Sequence, residues 1–281
     1  MLLSQINQFL WRASNVSATP SASPGTSVVP GASNVEGSWT QILAPATLTQ
    51  DVYLLVLNIY GNAVSANDKS MVLDLGIDAA GGTSYTAKFS DFVCGSINTT
   101  WPTGPFLSLP LFISSGSSVA VRAQTSNATA GTVRVVAWGF GKPTNPENVP
   151  QGQTCEVVGA VSSSKGVTFT PGNAAEGSWQ SLGTTTKDNW AFYLGVGYGN
   201  SAATASVTAI DLAFGDATNK TMLIENYFAN LASTENIACF GIEMLAPIYK
   251  YVPSGSTLYI RGQGTAAATG TWNANVLCIG G

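Results

Sequence analysis

The chain contains no histidine. That absence removes the usual general base near neutral pH, the Ser-His-acid and Cys-His nucleophilic pairs, and the commonest zinc ligand. Charge is almost as scarce. Asp, Glu, Lys and Arg together supply 9% of 281 residues, against about 25% in an average globular protein. The 11 Lys and Arg are scattered singly and the net charge is −4. Without a basic stripe to displace counterions, nucleic-acid binding is not expected. No apolar run approaches the ~18 residues of a membrane span, so no membrane association is expected either. The opening segment MLLSQINQFLWRAS lacks an early basic region and is interrupted by Gln5, Asn7 and Gln8. It does not read as a secretory signal. The four cysteines, at 94, 155, 239 and 278, lack the short spacings of zinc or dithiol sites and read as buried free thiols. No Gly-rich phosphate loop is present, and no cofactor is expected.

What is abundant is small and polar. Gly, Ser, Thr, Asn and Ala dominate, and 45% of the chain is hydrophobic with 10% aromatic. That profile belongs to a folded protein whose surface is polar through hydroxyls and amides. The sequence also repeats itself. Glu36-Gly37-Ser38-Trp39 recurs as Glu176-Gly177-Ser178-Trp179, and Pro30-Gly31 as Pro171-Gly172. Val52 to Asn62 corresponds to Trp190 to Asn200, and Val72 to Gly76 to Ala209 to Ala213. LPLFISSGSSVAVRAQ (Leu109 to Gln124) answers APIYKYVPSGSTLYIRGQ (Ala246 to Gln263). Matches in constant order mean that one fold occurs twice.

Each copy reads as strands. SVAVRAQ places Val119, Val121 and Ala123 on one face and Ala120, Arg122 and Gln124 on the other, and STLYIRGQ alternates in the same way. Ser-Gly-Ser turns precede both. About eight such runs per copy predict an all-β protein: two tandem antiparallel β-sandwiches of jelly-roll kind. The predicted boundaries are an N-terminal arm at 1–13, a first sandwich at 14–142, a Pro-rich linker at 143–153 and a second sandwich at 154–281. In the arm, Leu2, Leu3, Ile6, Phe9, Leu10 and Trp11 form an apolar set at helical spacing. It is expected to contact a partner, with two alternatives: packing on its own domain, or a first strand beginning near Phe9.

Few residues offer chemistry. Asp74 with Asp78 and Asp211 with Asp216 are the nearest carboxylate pairs of the kind a glycosidase requires. Asp74 and Asp211 are repeat equivalents in strands, which favours a structural role performed twice, and the chain is expected not to be an enzyme. A calcium loop would need a denser run of Asp and Asn oxygens. Arg122 and Arg261 occupy matching strand positions and are expected to pair within their own domains, Arg122 with Asp74 or Glu36 and Arg261 with Asp211 or Glu176. Trp39 and Trp179 are read as core anchors, with a sugar-stacking platform as the alternative. Trp101, unmatched in the second copy and flanked by turn residues, is the better candidate for a surface ligand contact.

With the preceding EGSW, the segments PLFISSGSSVAVRAQ and PIYKYVPSGSTLYIRGQ resemble β-sandwich modules in structural proteins of tailed-phage particles. Copy one departs by carrying Ser115 where a proline-containing turn is more typical. The resemblance implies a virion component: a capsid-decorating or head-spike subunit, or a tail accessory. Its implied partners are other virion proteins, in a homo-oligomer or multi-copy assembly put together in the host cytoplasm. The alternative is a carbohydrate- or receptor-binding module directed at host-surface polysaccharide.

Overall fold

The computed structural model describes residues 9–16, 25–61, 70–96, 106–125, 133–144, 154–161, 166–198, 206–231, 248–264 and 271–281. These form strands and, among the described residues, no helix. In chain order the first half gives β1 (Phe9–Ser14), β2 (Thr26–Val28), β3 (Thr40–Leu43), β4 (Val52–Gly61), β5 (Ser70–Asp78), β6 (Thr86–Ser96), β7 (Phe106–Leu109), β8 (Ser118–Thr125) and β9 (Val133–Pro143). The second half gives β10 (Thr154–Val158), β11 (Val167–Phe169), β12 (Gly172–Asn173), β13 (Gln180–Thr184), β14 (Asn189–Tyr198), β15 (Ser206–Gly215), β16 (Lys220–Leu231), β17 (Ile248–Val252), β18 (Thr257–Gly264) and β19 (Trp272–Gly280).

Each half is a two-sheet sandwich, and the strand order repeats. Sheet 1A runs β1-β9-β4-β7, with β2 also on β9, and faces sheet 1B, β3-β8-β5-β6. Sheet 2A runs β10-β19-β14-β17, with β11 also on β19, and faces sheet 2B, β12-β18-β15-β16, with β13 also on β18. All the pairings are antiparallel except the short β12–β18 one. The period-two alternation explains the cores. Leu73, Leu75, Val119 and Val121 from sheet 1B meet Leu55, Leu57 and Ile59 from sheet 1A. Leu212, Leu258 and Ile260 meet Phe192, Leu194 and Val196 in the second sandwich. Cys94 and Cys278 are buried free thiols and Cys155 is a half-buried one, whereas Cys239 lies outside the described residues.

One boundary and the repeat register differ from the sequence reading. β1 is a strand of sheet 1A, with Trp11 opposite Gly141 and Arg12 opposite Phe140, so the first sandwich takes in Phe9–Ser14 instead of starting at residue 14. The strand alternative therefore holds for that part of the arm, because β1 pairs what would otherwise be an open flank of β9. Trp11 packs on the core and Phe9 on Phe140, while Leu10 is 73% exposed. Leu2, Leu3, Ile6 and most of the linker lie outside the described residues. The repeat register also shifts by one residue. β4 and β14 both skip one residue near their start, Tyr53 and Trp190. Leu55 is thereby equivalent to Phe192, where matching the Tyr-Gly-Asn tripeptides pairs it with Tyr193.

Sheet 2A has both faces covered. One lies on sheet 2B and the other on the first sandwich, where β6 packs against β10, β14 and β19. This accounts for burial patterns that alternation alone does not produce: β19 is buried at every position, whereas β18 alternates strictly. On the outward face of sheet 1A, Leu54, Val56 and Phe140 form a second apolar cluster separate from the core, edged by Phe9, Phe106 and Trp138.

Candidate functional site

The repeated EGSW builds a repeated ion-pair assembly on the outward face of sheets 1B and 2B. In the first sandwich Arg122, opposite Asp74 in the β5–β8 ladder, donates from Nε to Asp74 Oδ2 at 2.7 Å and from Nη1 to Glu36 Oε2 at 2.5 Å. In the second, Arg261 does the same with Asp211 at 2.8 Å and Glu176 at 2.5 Å. Each arginine thus takes both of its candidate partners. Asp74 and Asp211 are buried, so a charge-assisted pair on each is required for the fold to tolerate them.

Trp39 and Trp179 are not core anchors. Both are partly exposed, and each covers its arginine, with guanidinium carbons 4.6 and 4.4 Å from the ring centroids. The ring faces attract the cation, and a Cβ on Gly76 would sit 2.9 Å from Trp39, so a glycine floor lets the ring lie on the sheet. The glycine of the tetrapeptide has its own task. The Gly37 and Gly177 N–H groups donate to Ala123 O and Gly262 O, and a side chain at either would collide with neighbouring backbone. EGSW is therefore a clip: carboxylate, close backbone approach, ring lid.

The two assemblies differ beneath the ring, where Ala213 stands for Gly76, and at the bulge beside the buried aspartate. Asp91 and Asn226 sit at equivalent bulges with left-handed backbone (φ 60° and 54°) and donate their N–H to Asp74 and Asp211 at 2.7 Å. Asp and Asn are the non-glycine residues that adopt this conformation most readily. In the first sandwich the aspartate adds a third carboxylate, and oxygens of Glu36, Asp74 and Asp91 lie within 4.8 Å of one another. Burial and the Asp74 charge push both Glu36 and Asp91 above the usual carboxylate range, against the pull of Arg122. The glycosidase-like pairs do not assemble: Asp78 accepts from the Ala80 and Ser84 N–H groups, and Asp216 from those of Thr218 and Asn219.

A second repeated carboxylate escaped the sequence reading. Asp51 and Asp188 accept the N–H of Ser115 and Ser254 at 2.8 Å, pinning the Ser-Gly-Ser turns. The signal was a lone Asp just ahead of each long strand, in QDVY and KDNW. Trp101, the candidate ligand contact, lies outside the described residues.

The contact between the sandwiches is the other constellation with functional content. Asn275 on β19 reads the free edge of β6 as a peptide would. Its Oδ1 accepts from Val93 N–H at 3.0 Å and its Nδ2 donates to Asp91 O at 2.6 Å. The buried Tyr193 hydroxyl donates to Ser108 O at 2.7 Å and accepts from Ser108 N–H at 2.9 Å, treating β7 likewise. Burial raises the Tyr193 pKa, keeping it a neutral donor. Gly195 provides the room, since a Cβ there would strike the Val93 carbonyl oxygen. Cys155 faces the same interface, and burial pushes its thiol up to about 12 despite Lys88 and Lys187 nearby. A thiol held protonated is a poor nucleophile.

No family model and no curated protein matches the sequence. Among solved structures, a peptide-N(4)-(N-acetyl-β-D-glucosaminyl) asparagine amidase aligns at 11% identity and TM-score 0.37, covering 96% of each chain. The STIV MCP aligns at 10% and 0.36, also over 96% of each. The major capsid protein P2 from bacteriophage PM2 aligns at 9% and 0.34, over 96% of this chain and 98% of its own. None of these likenesses assigns an activity to this chain.

Proposed function

We propose that the protein is a non-catalytic structural subunit of a virus particle, working as one of many identical copies. The observation that carries this reading is the inter-sandwich contact. Sheet 2A is buried on both faces, and paired side chains close the edges of β6 and β7 against it. The two sandwiches therefore make a single rigid block rather than two modules on a tether. The strong charge clusters described are spent inside the fold, on Arg122 and Arg261. The motif resemblance extends the reading to a tailed phage, with the protein as a decorating, spike or tail accessory subunit. Attachment then falls to the segment ahead of Phe9, with the exposed Leu10 beside it. Mass spectrometry and electron microscopy of purified particles test this. Finding the chain at many copies per particle supports the proposal, and its absence from particles overturns it.

One observation favours a second reading, recognition of a host-surface polysaccharide. Trp190 and Tyr249 lie parallel, 4° between planes with centroids 6.0 Å apart, and Tyr249 and Tyr251 are 43% and 61% exposed. Aromatic faces of this kind stack on sugar rings. Binding to immobilised host polysaccharide that Tyr251→Ala abolishes would establish it.

A further inference from the structure

Asp91 belongs to two constellations at once. Its N–H donates to Asp74 Oδ1 at 2.7 Å, and its carboxylate stands in the trio with Asp74 and Glu36, beside Arg122. Its carbonyl oxygen accepts from Asn275 Nδ2 of the second sandwich at 2.6 Å, and the Val93 N–H reaches Asn275 Oδ1. One bulged residue thus ties the carboxylates of sheet 1B to the face of sheet 2A. Backbone held from both sides cannot carry the carboxyl away from its neighbours without loosening the grip.

The duplication provides the undocked counterpart. Asn226 has the same left-handed bulge and the same bond to its buried aspartate, but β16 lies outside the packing of β6 on β10, β14 and β19. Asn226 is exposed where Asp91 is half-buried, and Glu225 is exposed where Ser90 is half-buried. Docking therefore withdraws the Asp91 side chain from water. A carboxyl loses more by this when charged than when neutral. The trio gives the proton its place, since oxygens of three carboxyls lie within 4.8 Å of one another.

We infer that the docking of the two sandwiches is proton-linked through Asp91, tightening in acid and loosening at neutral pH as the trio ionises. The groups acting on Asp91 stand on the first sandwich. Burial, then the Asp74 charge, push both Asp91 and Glu36 up against the pull of Arg122, and Asp91 adds to the push on Glu36. Lys88, on the same strand, acts on Cys155 instead, and β4 carries no charged side chain. Sheet 2A brings no opposing charge. On β19 the one ionisable side chain is Cys278, buried in its own core. On β14 Tyr193 is occupied by Ser108, and on β10 Glu156 is held by Thr186 and Asn189. The docked state binds the proton more tightly than the parted one. Lowering the pH from neutral through the raised values therefore shifts the equilibrium toward docking, and the gain is complete below the ordinary carboxylate range. The coupling is reciprocal: about a tenfold difference in proton affinity between the two states is about a tenfold change in the docking constant.

The test uses the full chain and reads the linkage from both sides. Carbon NMR titration of the side-chain carboxyls follows the proton. Asp91 is expected to titrate higher in wild type than in Gly195→Val or Asn275→Leu, each checked as parted by solution X-ray scattering. Equal values in the docked and parted chains would overturn the inference. Scattering on Asn275→Leu then follows the docking itself. Its parted fraction is expected to fall as pH drops from neutral toward the ordinary carboxylate range, and adding Asp91→Asn is expected to abolish that response. A parted fraction indifferent to pH, or one that responds as strongly after Asp91→Asn, sinks the idea. Should the docking variants misfold, Tyr193→Phe in moderate urea takes their place. It removes one hydroxyl from the contact and leaves the trio untouched, and the same pH response, lost with Asp91→Asn, is expected of it.

Discussion

At the residue scale, Asp91 and Asn226 form a controlled comparison within one molecule. Both satisfy the same bulge, but Asp91 crowds a third carboxylate beside Asp74 and Glu36, with Arg122 as counter-ion. Because Glu36 and Asp91 have folded-state pKa values above their ordinary ones, the native state takes up protons before the unfolded chain does. Their ionisation thus opposes folding at neutral pH, and that penalty disappears as pH falls through the raised values. Asp91→Asn, which copies the second sandwich, is expected to raise the melting temperature at pH 7 and to flatten its change as pH falls from neutral toward the ordinary carboxylate range. Glu156 has the opposite sign. Burial works upward, but the Thr186 hydroxyl and N–H and the Asn189 amide outweigh it and hold the carboxyl below its usual range. Its contribution is present above the unfolded-state value and is lost as pH falls through the lowered one; in Glu156→Gln, thermal melts should lose that acid-side decline. Removing a guanidinium is a harsher change. Arg122→Met or Arg261→Met strands a buried aspartate and is expected to cost roughly 3 kcal/mol in urea denaturation.

At the scale of strands and edges, the duplication made the ion pairs legible: Arg and Asp recur at fixed places in alternating strands, so their pairing could be read before any geometry. The tryptophans were misread because a large ring next to an apolar position satisfies a core pattern as well as a lid pattern. Only the packing over Gly76 and the guanidinium distinguishes them. The docking of the sandwiches was illegible for another reason. Strands covered on both faces lose their alternation, and the signals left in β14 and β19 were glycine and asparagine, which in sequence suggest turns. Gly195 and Asn275 carry that contact, and both are open to trial. Gly195→Val is expected to push β6 off sheet 2A. Asn275→Leu leaves the Val93 N–H and Asp91 carbonyl without partners, at about 1–3 kcal/mol each. Limited proteolysis and chemical denaturation read both outcomes as separation of the sandwiches ahead of global unfolding.

For the whole molecule, a shared sheet means shared stability. The wild-type chain is expected to melt in a single calorimetric transition, despite its two cores. Residues 154–281 expressed alone would bare the outward face of sheet 2A, with Tyr193, Leu277 and Ile279, and are expected to associate or to melt well below the full chain. Two separate transitions in the intact protein would show that the contact contributes little.

The amide grip of Asn275 on β6 carries one more consequence. β6 is the last strand of its sheet, and backbone groups on such a strand ordinarily trade their protons with water quickly. The Val93 N–H is occupied by Asn275 Oδ1 instead. Its deuterium uptake should be as slow as that of amides in the middle of the sheet, and it should quicken abruptly when the two halves part. A single backbone proton at position 93 thereby becomes a clock for how often this block opens.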